Sequence, residues 1–381
     1  MKNEDMTIAY LADGSSVHTR TFLGYFVERN YDVHLITYTP SDIEGVKTHK
    51  AATPRFMVPL RTIQAITLVR RIRPKILHAF YLTNNGFIGA LSGFHPFIAT
   101  PMGSDITTDP EQSRIFRFLV NSAIRRADLV HASDNFSRNR LMELGCPKEK
   151  IMVQQFGVDT NRFSPKARSQ LLREKLGIAD KYSVLCARWW RSQYNVRVFV
   201  KAIPFVLNKV PNVRFILLGG GPLESELRDL ARRLGVYESI SFIGKISSEE
   251  MPKYLASVDV YVDTVSLYRY DAIGNVAMAK GESGIGQTTR EVMACGTPQI
   301  LSDMPGVKMS ELFRGLTYRQ LDHEDLGAKI SQLLLDTKLR LKLGEESRKA
   351  VLEWCDFAKI MKKWEDVYHE LGETGTLKNV M

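Results

Sequence analysis

The sequence predicts an α/β protein built from two Rossmann-like domains in series, each a parallel sheet covered by helices. Three observations carry this. Short β-rich runs alternate with amphipathic helical stretches, and the whole alternation occurs twice. The turns closing several runs are made of small residues, as in Asp13-Gly14-Ser15-Ser16 and Gly219-Gly220-Gly221-Pro222. A length of 381 residues with 44% hydrophobic and 25% charged residues suits roughly two ordinary globular domains.

In the first half, strands are expected at Thr7 to Ala12, Val33 to Thr37, Ile76 to Phe80, Phe97 to Thr100, Leu129 to Ala132 and Ile151 to Gln155, with helices between them. These are the short apolar runs of strands buried on both faces. The text turns polar around Asp159 to Ala179, and a new strand opens at Tyr182 to Ala187. The domains are therefore expected at residues 1–170 and 171–355, with a terminal helix over 356–381. The second half gives further strands at Val213 to Leu218, Ser241 to Ile243, Val258 to Val262 and Gln299 to Ser302.

Composition narrows the function. Cys146, Cys186, Cys295 and Cys355 lie far apart with no CxxC pair, which argues against a zinc site or a disulfide framework. No apolar run reaches the roughly 18 residues of a membrane span. The start MKNEDMTIAYLADG has no signal-peptide pattern, so a cytoplasmic protein is expected. A formal net charge of +10 implies an anionic partner: nucleic acid, an acidic membrane surface or a phosphorylated substrate. No nucleic-acid module is recognisable, so nucleic acid is the least favoured.

The stretch GESGIGQTTREVMACGTP, Gly281 to Pro298, carries the most chemistry. Gly281, Gly284 and Gly286 let the backbone approach a ligand. Thr288 and Thr289 sit where a helix start presents unpaired N–H groups to a phosphate, and Glu291 follows where a carboxylate can accept from ribose or sugar hydroxyls. A plain loop and helix with Gly296 as its C-cap explains the string alone equally well. Asp13-Gly14-Ser15-Ser16 and His18 follow the first strand and suit a phosphate or a hydroxyl-rich ligand; a bland turn with Ser16 as N-cap accounts for them too. This is not the GxGxxG fingerprint, which disfavours a nicotinamide enzyme. Met102-Gly103-Ser104-Asp105 places an acid at the sheet's active edge. Arg188, directly after YSVLCA, can pair with a diphosphate through its planar fork, or be solvated charge.

With these residues in view, the second half resembles the retaining glycosyltransferases of the GT-B fold, in the nucleotide-sugar-dependent group 4, through LLGGGPLESELRDLARRLGV, ISFIGKISSEEMPKYLASVDVYV and REVMACGTPQILSD. The first half is similar through IAYLADGSSVHTR, ILHAFYLTNNGF, TPMGSD and ADLVHASDNFSRNRLMELGCPKEKIMVQQFGVDTNRFSP. The resemblance implies two domains facing across a central cleft, with the terminal helix crossing back to the first. It also implies transfer from a UDP- or GDP-type sugar with retained anomeric configuration and without metal or cofactor. Glu291 would hold the ribose, the Thr288 and Thr289 amides the diphosphate, Arg188 would neutralise it, and Gly14 with Ser15 would face it. Gly284 and Gly286 would shape the donor loop. Asp105 and Arg188 are candidate catalytic residues, and Ser16, His18, His78 and Ser104 candidate acceptor contacts.

This chain departs from the family at three places. The first glutamate of the Glu, seven residues, Glu motif should stand at Ser283, with Glu282 one residue earlier, and both are candidates for its catalytic place. Gln193 or Tyr194 stands where a lysine is common, leaving Arg191 to supply the charge, and Met102 replaces a histidine. A relative that binds a nucleotide sugar or a partner without transfer, and a nucleotide-sugar epimerase of the same architecture, are the alternatives. Arg61 to Lys75 and Arg114 to Ala127 each read as a helix with an apolar face and flanking arginines, Arg70, Arg71 and Arg73 among them. They suit an anionic membrane surface, or a core-packed helix with a basic edge. In the family the first domain receives the acceptor, so a lipid-linked or saccharide acceptor is expected, in glycolipid, lipid-linked oligosaccharide or polysaccharide assembly at the inner face of the membrane.

Overall fold

A computed structural model of the chain describes residues 3–50, 58–270, 276–278 and 284–376. It divides into two units, residues 1–155 with 359–381, and residues 156–358. The first holds seven parallel strands: β1 (Thr7–Leu11), β2 (Asp32–Thr37), β3 (Lys47–Lys50), β4 (Ile76–Phe80), β5 (Phe97–Thr100), β6 (Leu129–Ala132) and β7 (Ile151–Val153). Their order is β3-β2-β1-β4-β5-β6-β7. The second holds β8 (Tyr182–Ala187), β9 (Val213–Leu218), β10 (Ile240–Gly244), β11 (Val260–Val262), β12 (Tyr268–Tyr270), β13 (Val276–Met278), β14 (Gln299–Ser302) and β15 (Leu316–Tyr318). Six of these form a parallel sheet, β10-β9-β8-β11-β14-β15, while β12 and β13 pair antiparallel as a separate ribbon.

Both sheets are doubly wound, so each changes strand direction of growth at its first strand, β1 or β8, where such folds open a crevice at the carboxyl ends. The central strands are apolar on both faces; every residue of β4, β5 and β6 is buried. The edge strand β3 was not foreseen. Its sequence Lys-Thr-His-Lys is mostly exposed and pairs only with β2, as a charged edge does when it blunts further pairing.

Residues 156–170, expected in the first domain, pack with the second unit instead. The Ser169 amide donates to the Ser257 hydroxyl (2.9 Å), and the Gln287 side chain to the Gly157 carbonyl (3.2 Å). The helix Phe357–Thr374 buries Ile360, Met361, Trp364, Tyr368 and Leu371, the stripe of one helical face. Its aromatics complete the core of the first unit. Trp364 meets Phe22 with ring centroids 5.6 Å apart, and Tyr368 stacks on Phe26 at 4.9 Å.

That packing overturns one acceptor candidate. His78 is fully buried on β4, enclosed by Tyr10, Phe22, Phe80 and Trp364. Its Nδ1 lies 2.5 Å from the Tyr368 hydroxyl and its Nε2 2.7 Å from the Thr100 hydroxyl. Burial first, and the neighbouring His131 second, push its imidazole well below the ordinary range and keep it neutral. His78 is a hydrogen-bonded core residue, out of reach of a ligand. The four cysteines are buried and free.

Candidate functional site

In the second unit the candidate site gathers at the carboxyl ends of β8 and β11. Arg188 follows β8 in a loop that crosses tightly over Gly219 and Gly221. A Cβ on Gly219 would stand 2.0 Å from the Arg188 carbonyl oxygen, and one on Gly221 2.5 Å from that of Trp190; both glycines have left-handed φ, 127° and 152°. The glycine triplet is thus what lets this loop lie flat. Trp190, fully buried, anchors it, its amide donating to the Gly220 carbonyl (3.0 Å).

The arginine is not open charge. Its guanidinium forks onto Asp263 at the end of β11, with Nε donating to Oδ1 at 2.9 Å and Nη2 to Oδ2. Asp263 also accepts from the Val265 amide (3.1 Å) and the Thr289 hydroxyl (3.0 Å). Burial alone would raise the Asp263 carboxyl, but the Arg188 charge and these hydrogen bonds hold it below the ordinary carboxylate range. One buried carboxylate therefore ties β8, β11 and the helix carrying Thr289. Sequence reasoning missed Asp263, and it takes the Thr289 hydroxyl as well.

That helix, Gln287–Ala294, starts at Gly286 in extended conformation with no side-chain cap and no acidic residue in its first turn. A helix start of this kind keeps N–H groups and the positive dipole end for an anion. Thr288 is half-buried there. Glu291 lies one residue beyond the first turn, not within it. Burial pushes its carboxyl up to about 7, against the pull of the Gln287 hydrogen bond and of Arg162, Arg290 and Arg188. A carboxyl held this way stands ready to accept hydroxyl hydrogen bonds once ionised. Gly284 and Gly286 are half-buried beside it, while Glu282 and Ser283 lie outside the described residues.

Arg191 is exposed and rests against the ring of Trp189, 5.5 Å from its centroid. Lys245, unforeseen, approaches the same half-exposed ring at 4.6 Å. The two cations thus flank an aromatic face.

The first unit has its own pocket, about 970 Å³, opening over the ends of β1 and β4. Asp13, Ser16, Tyr38, Arg61, Tyr81 and Asn84 are among the residues lining it. Gly14 does not offer its amide there: that N–H donates to the Thr37 (3.0 Å) and Thr39 (2.8 Å) hydroxyls. Its lack of a side chain instead admits Ser41, whose Cβ would stand 2.7 Å from a Cβ at 14. Ser15 is exposed, with its amide and hydroxyl both bound to Asp13 at 2.9 and 2.7 Å. Ser16 is the N-cap of Val17–Val27 without a capping hydrogen bond, and His18 lies outside the pocket lining.

Asp105 changes role. It is fully buried and accepts backbone N–H groups from Leu82 (2.7 Å), Met102 (3.0 Å) and Gly103 (2.9 Å). Burial raises its carboxyl to about 6 against those three donors. It pins the loops after β4 and β5 rather than meeting a substrate. Ser104 bonds the Tyr81 hydroxyl (3.1 Å), which also donates to Asp109 (2.9 Å). Tyr81 itself has a left-handed φ of 76° and opens a π-turn, Leu82–Gly86, that carries Asn84 and Asn85 to the pocket.

The two basic helices are Val58–Ile72 and Arg114–Arg126. Arg70 and Arg71 are exposed in the last turn of the first, and Arg73 follows it exposed with φ 49°. Leu60 and Ile63 on the first helix, and Ile115, Phe116 and Phe118 on the second, are exposed apolar side chains. Among the described residues no helix is long and apolar enough to cross a membrane.

Comparison with known proteins agrees with this architecture. Residues 7–135 match the family model described as glycosyl transferase 4-like, and residues 169–350 the one described as glycosyl transferases group 1. A GDP-mannose-dependent alpha-(1-6)-phosphatidylinositol monomannoside mannosyltransferase of Mycolicibacterium smegmatis is 28% identical over 62% of this chain, which covers 61% of that protein's length. An N-acetyl-alpha-D-glucosaminyl L-malate synthase of Bacillus anthracis is 24% identical over 72% of this chain and 68% of its own. In fold, the chain is similar to Anabaena HepE, crystallised with UDP, at a TM-score of 0.78 and 18% identity over 96% of this chain and all of that one. A sucrose-phosphate synthase from Thermosynechococcus elongatus gives 0.77 and 17%, over 96% and 99% of the two chains.

Proposed function

We propose that this chain, which belongs to the nucleotide-sugar-dependent glycosyltransferases of the GT-B fold, transfers a sugar from a nucleoside diphosphate to an acceptor hydroxyl with retention of anomeric configuration. The observation that carries the reading is the uncapped start of Gln287–Ala294, set beside Arg188 with Glu291 one turn on. The diphosphate rests on the helix amides, and Arg188, shared with Asp263, faces the negative charge that builds as the diphosphate leaves. Glu291, ionised, accepts from the ribose hydroxyls. The anomeric carbon passes through an oxocarbenium-like state as its bond to the diphosphate breaks, and the acceptor oxygen enters from the face the diphosphate leaves while its proton passes to an oxygen of that departing diphosphate. These residues carry the charge without a metal ion.

The acceptor is held by the pocket of the first unit, whose hydroxyl and amide lining suits a sugar or polyol. The arginines and exposed apolar residues of Val58–Ile72 and Arg114–Arg126 favour an acceptor met at an anionic membrane surface, in glycolipid or polysaccharide assembly. The mannosyltransferase relative, named for a phosphatidylinositol glycolipid, supports the same direction.

Thermal stabilisation by UDP, GDP and their sugar conjugates identifies the donor, since a ligand bound only to the folded state raises stability with the logarithm of its occupancy. Product NMR then reads the anomeric configuration. An inverted product overturns the retaining mechanism. Absence of stabilisation by every nucleotide overturns the donor site. Failure to sediment with anionic vesicles at low salt, in both the wild type and an Arg70, Arg71, Arg73 triple alanine variant, overturns the membrane reading.

A further inference from the structure

The pocket of the first unit has a lining that is mostly neutral and hydrogen-bonding, with Thr19, Tyr38, Thr62, Tyr81, Asn84 and Asn85 among its side chains. Two charged side chains join them, Asp13 and Arg61. Their situations differ. The Asp13 carboxylate is partly used, its Oδ1 accepting from the Ser15 amide (2.9 Å), the Ser15 hydroxyl (2.7 Å) and the Thr39 hydroxyl (2.6 Å).

Arg61 has no carboxylate partner among the described residues. Its guanidinium lies on the face of Tyr38, 3.8 Å from the ring centroid, and the Tyr38 hydroxyl donates to the Arg61 carbonyl at 2.9 Å. Its Nε is buried and without a hydrogen-bond partner among those residues. A buried N–H left unmade is costly, and a guanidinium already oriented by an aromatic face loses little freedom when it takes up a ligand. The Nε itself is closed off, but the terminal nitrogens also make no hydrogen bond among the described residues and are not buried, and a planar or tetrahedral oxyanion suits that end of the guanidinium.

We infer that the acceptor carries an anionic group, a phosphate or a carboxylate, received by Arg61 in the pocket of the first unit. The word acceptor rests on the transfer reading above; the anion site itself does not. Arg61 opens the segment whose later arginines face solvent, yet its side chain lines the pocket, so the basic helix has two tasks. The anion belongs either to a soluble sugar acid or sugar phosphate, or to a lipid headgroup.

Titration calorimetry without donor decides it, using glucose as the neutral probe and glucose 6-phosphate and glucuronate as the anionic ones, on the wild type, Arg61→Met and Arg61→Lys. Methionine keeps the contact with Tyr38, and unchanged melting temperatures show that the fold is intact. The expected result is at least tenfold tighter binding of one anionic probe by the wild type, a gap within twofold in Arg61→Met, and partial recovery in Arg61→Lys. Equal affinities in the wild type, a preference that survives in Arg61→Met, or no binding of any probe overturns the inference. Phosphatidylinositol vesicles, compared with phosphatidylcholine, give the second arm: competition with the anionic probe in the wild type alone assigns the anion to a lipid headgroup, its absence to a soluble acceptor. Turnover on a neutral acceptor would leave the transfer reading standing while sinking this one.

Discussion

Glu291 makes the most quantitative prediction. Burial lifts its carboxyl from the ordinary 4.5 to about 7 in the free protein. At about 1.4 kcal/mol per unit, the rise corresponds to about 3 kcal/mol. Because the folded state holds the proton more tightly than the unfolded chain, this stability is fully present below about pH 4.5 and is lost as pH rises through about 7. The assay is thermal melting from pH 5 to pH 8 of the wild type and Glu291→Gln, the glutamine supplying a side chain that never ionises. The difference between the two should move against the wild type by on the order of 6–12 °C in melting temperature with rising pH, for a unit of this size. Donor affinity should run the other way. Only the carboxylate accepts both ribose hydroxyls, so a nucleotide sugar, whose diphosphate diester does not titrate in this range, should bind about tenfold tighter at pH 8 than at pH 6. A difference between wild type and variant that is flat with pH, or donor affinity independent of pH in the wild type, would show that Glu291 is not a raised carboxyl at the donor site.

Three further outcomes follow from the same geometry. Asp263→Asn leaves the Arg188 guanidinium, 11% exposed, without its counter-charge, and should lower the free energy of unfolding by about 3–5 kcal/mol in urea titration while raising the donor KM; a variant as stable as the wild type would remove the pair's organising role. Gly221→Ala, at φ 152° with the Trp190 carbonyl 2.5 Å from the new Cβ, should destabilise by more than about 1 kcal/mol and weaken nucleotide binding, measured by calorimetry. His78→Leu orphans the Thr100 hydroxyl and leaves the Tyr368 hydroxyl only its 3.1 Å bond to Tyr10, and should cost about 1–3 kcal/mol in denaturant melts, with the acceptor KM unchanged; a changed KM at full stability would return His78 to the acceptor site.

The strands read correctly from sequence were those whose signal is local. Ile76 to Phe80, Phe97 to Thr100 and Tyr182 to Ala187 are apolar runs buried on both faces, and their bounds agree with the structure. Lys47–Lys50 carries no such signal, because its partner β2 covers only one edge and its side chains face water. Arg188, Thr288 and Glu291, the proposed donor contacts, were singled out by their places after a strand and near a helix start, and the structure keeps them at those places. Asp263 was not, since its charge is made tolerable by an arginine 75 positions away. His78 and Asp105 were misread for a related reason: a polar residue near a sheet edge resembles a site until its partners are known. For His78 the decisive partner is Tyr368, 290 positions on, and for Asp105 it is backbone N–H groups that sequence does not mark as free. Arg61 belonged to a helix read by its basic edge, and only the position of Tyr38 turns that side chain to the pocket.

The proposed donor site sets a nucleotide sugar against Glu291 and the helix start before it. Acceptor-dependent release of nucleoside diphosphate, measured for the wild type and Glu291→Ala across UDP- and GDP-sugars, tests it most directly, with circular dichroism to establish that the variant is folded. The expected result is release by the wild type with at least one donor and a loss of at least about a hundredfold in kcat/KM in the variant, the size expected when a charged, partly buried hydrogen-bonding group is removed. A folded Glu291→Ala protein that turns over at the wild-type rate would contradict it.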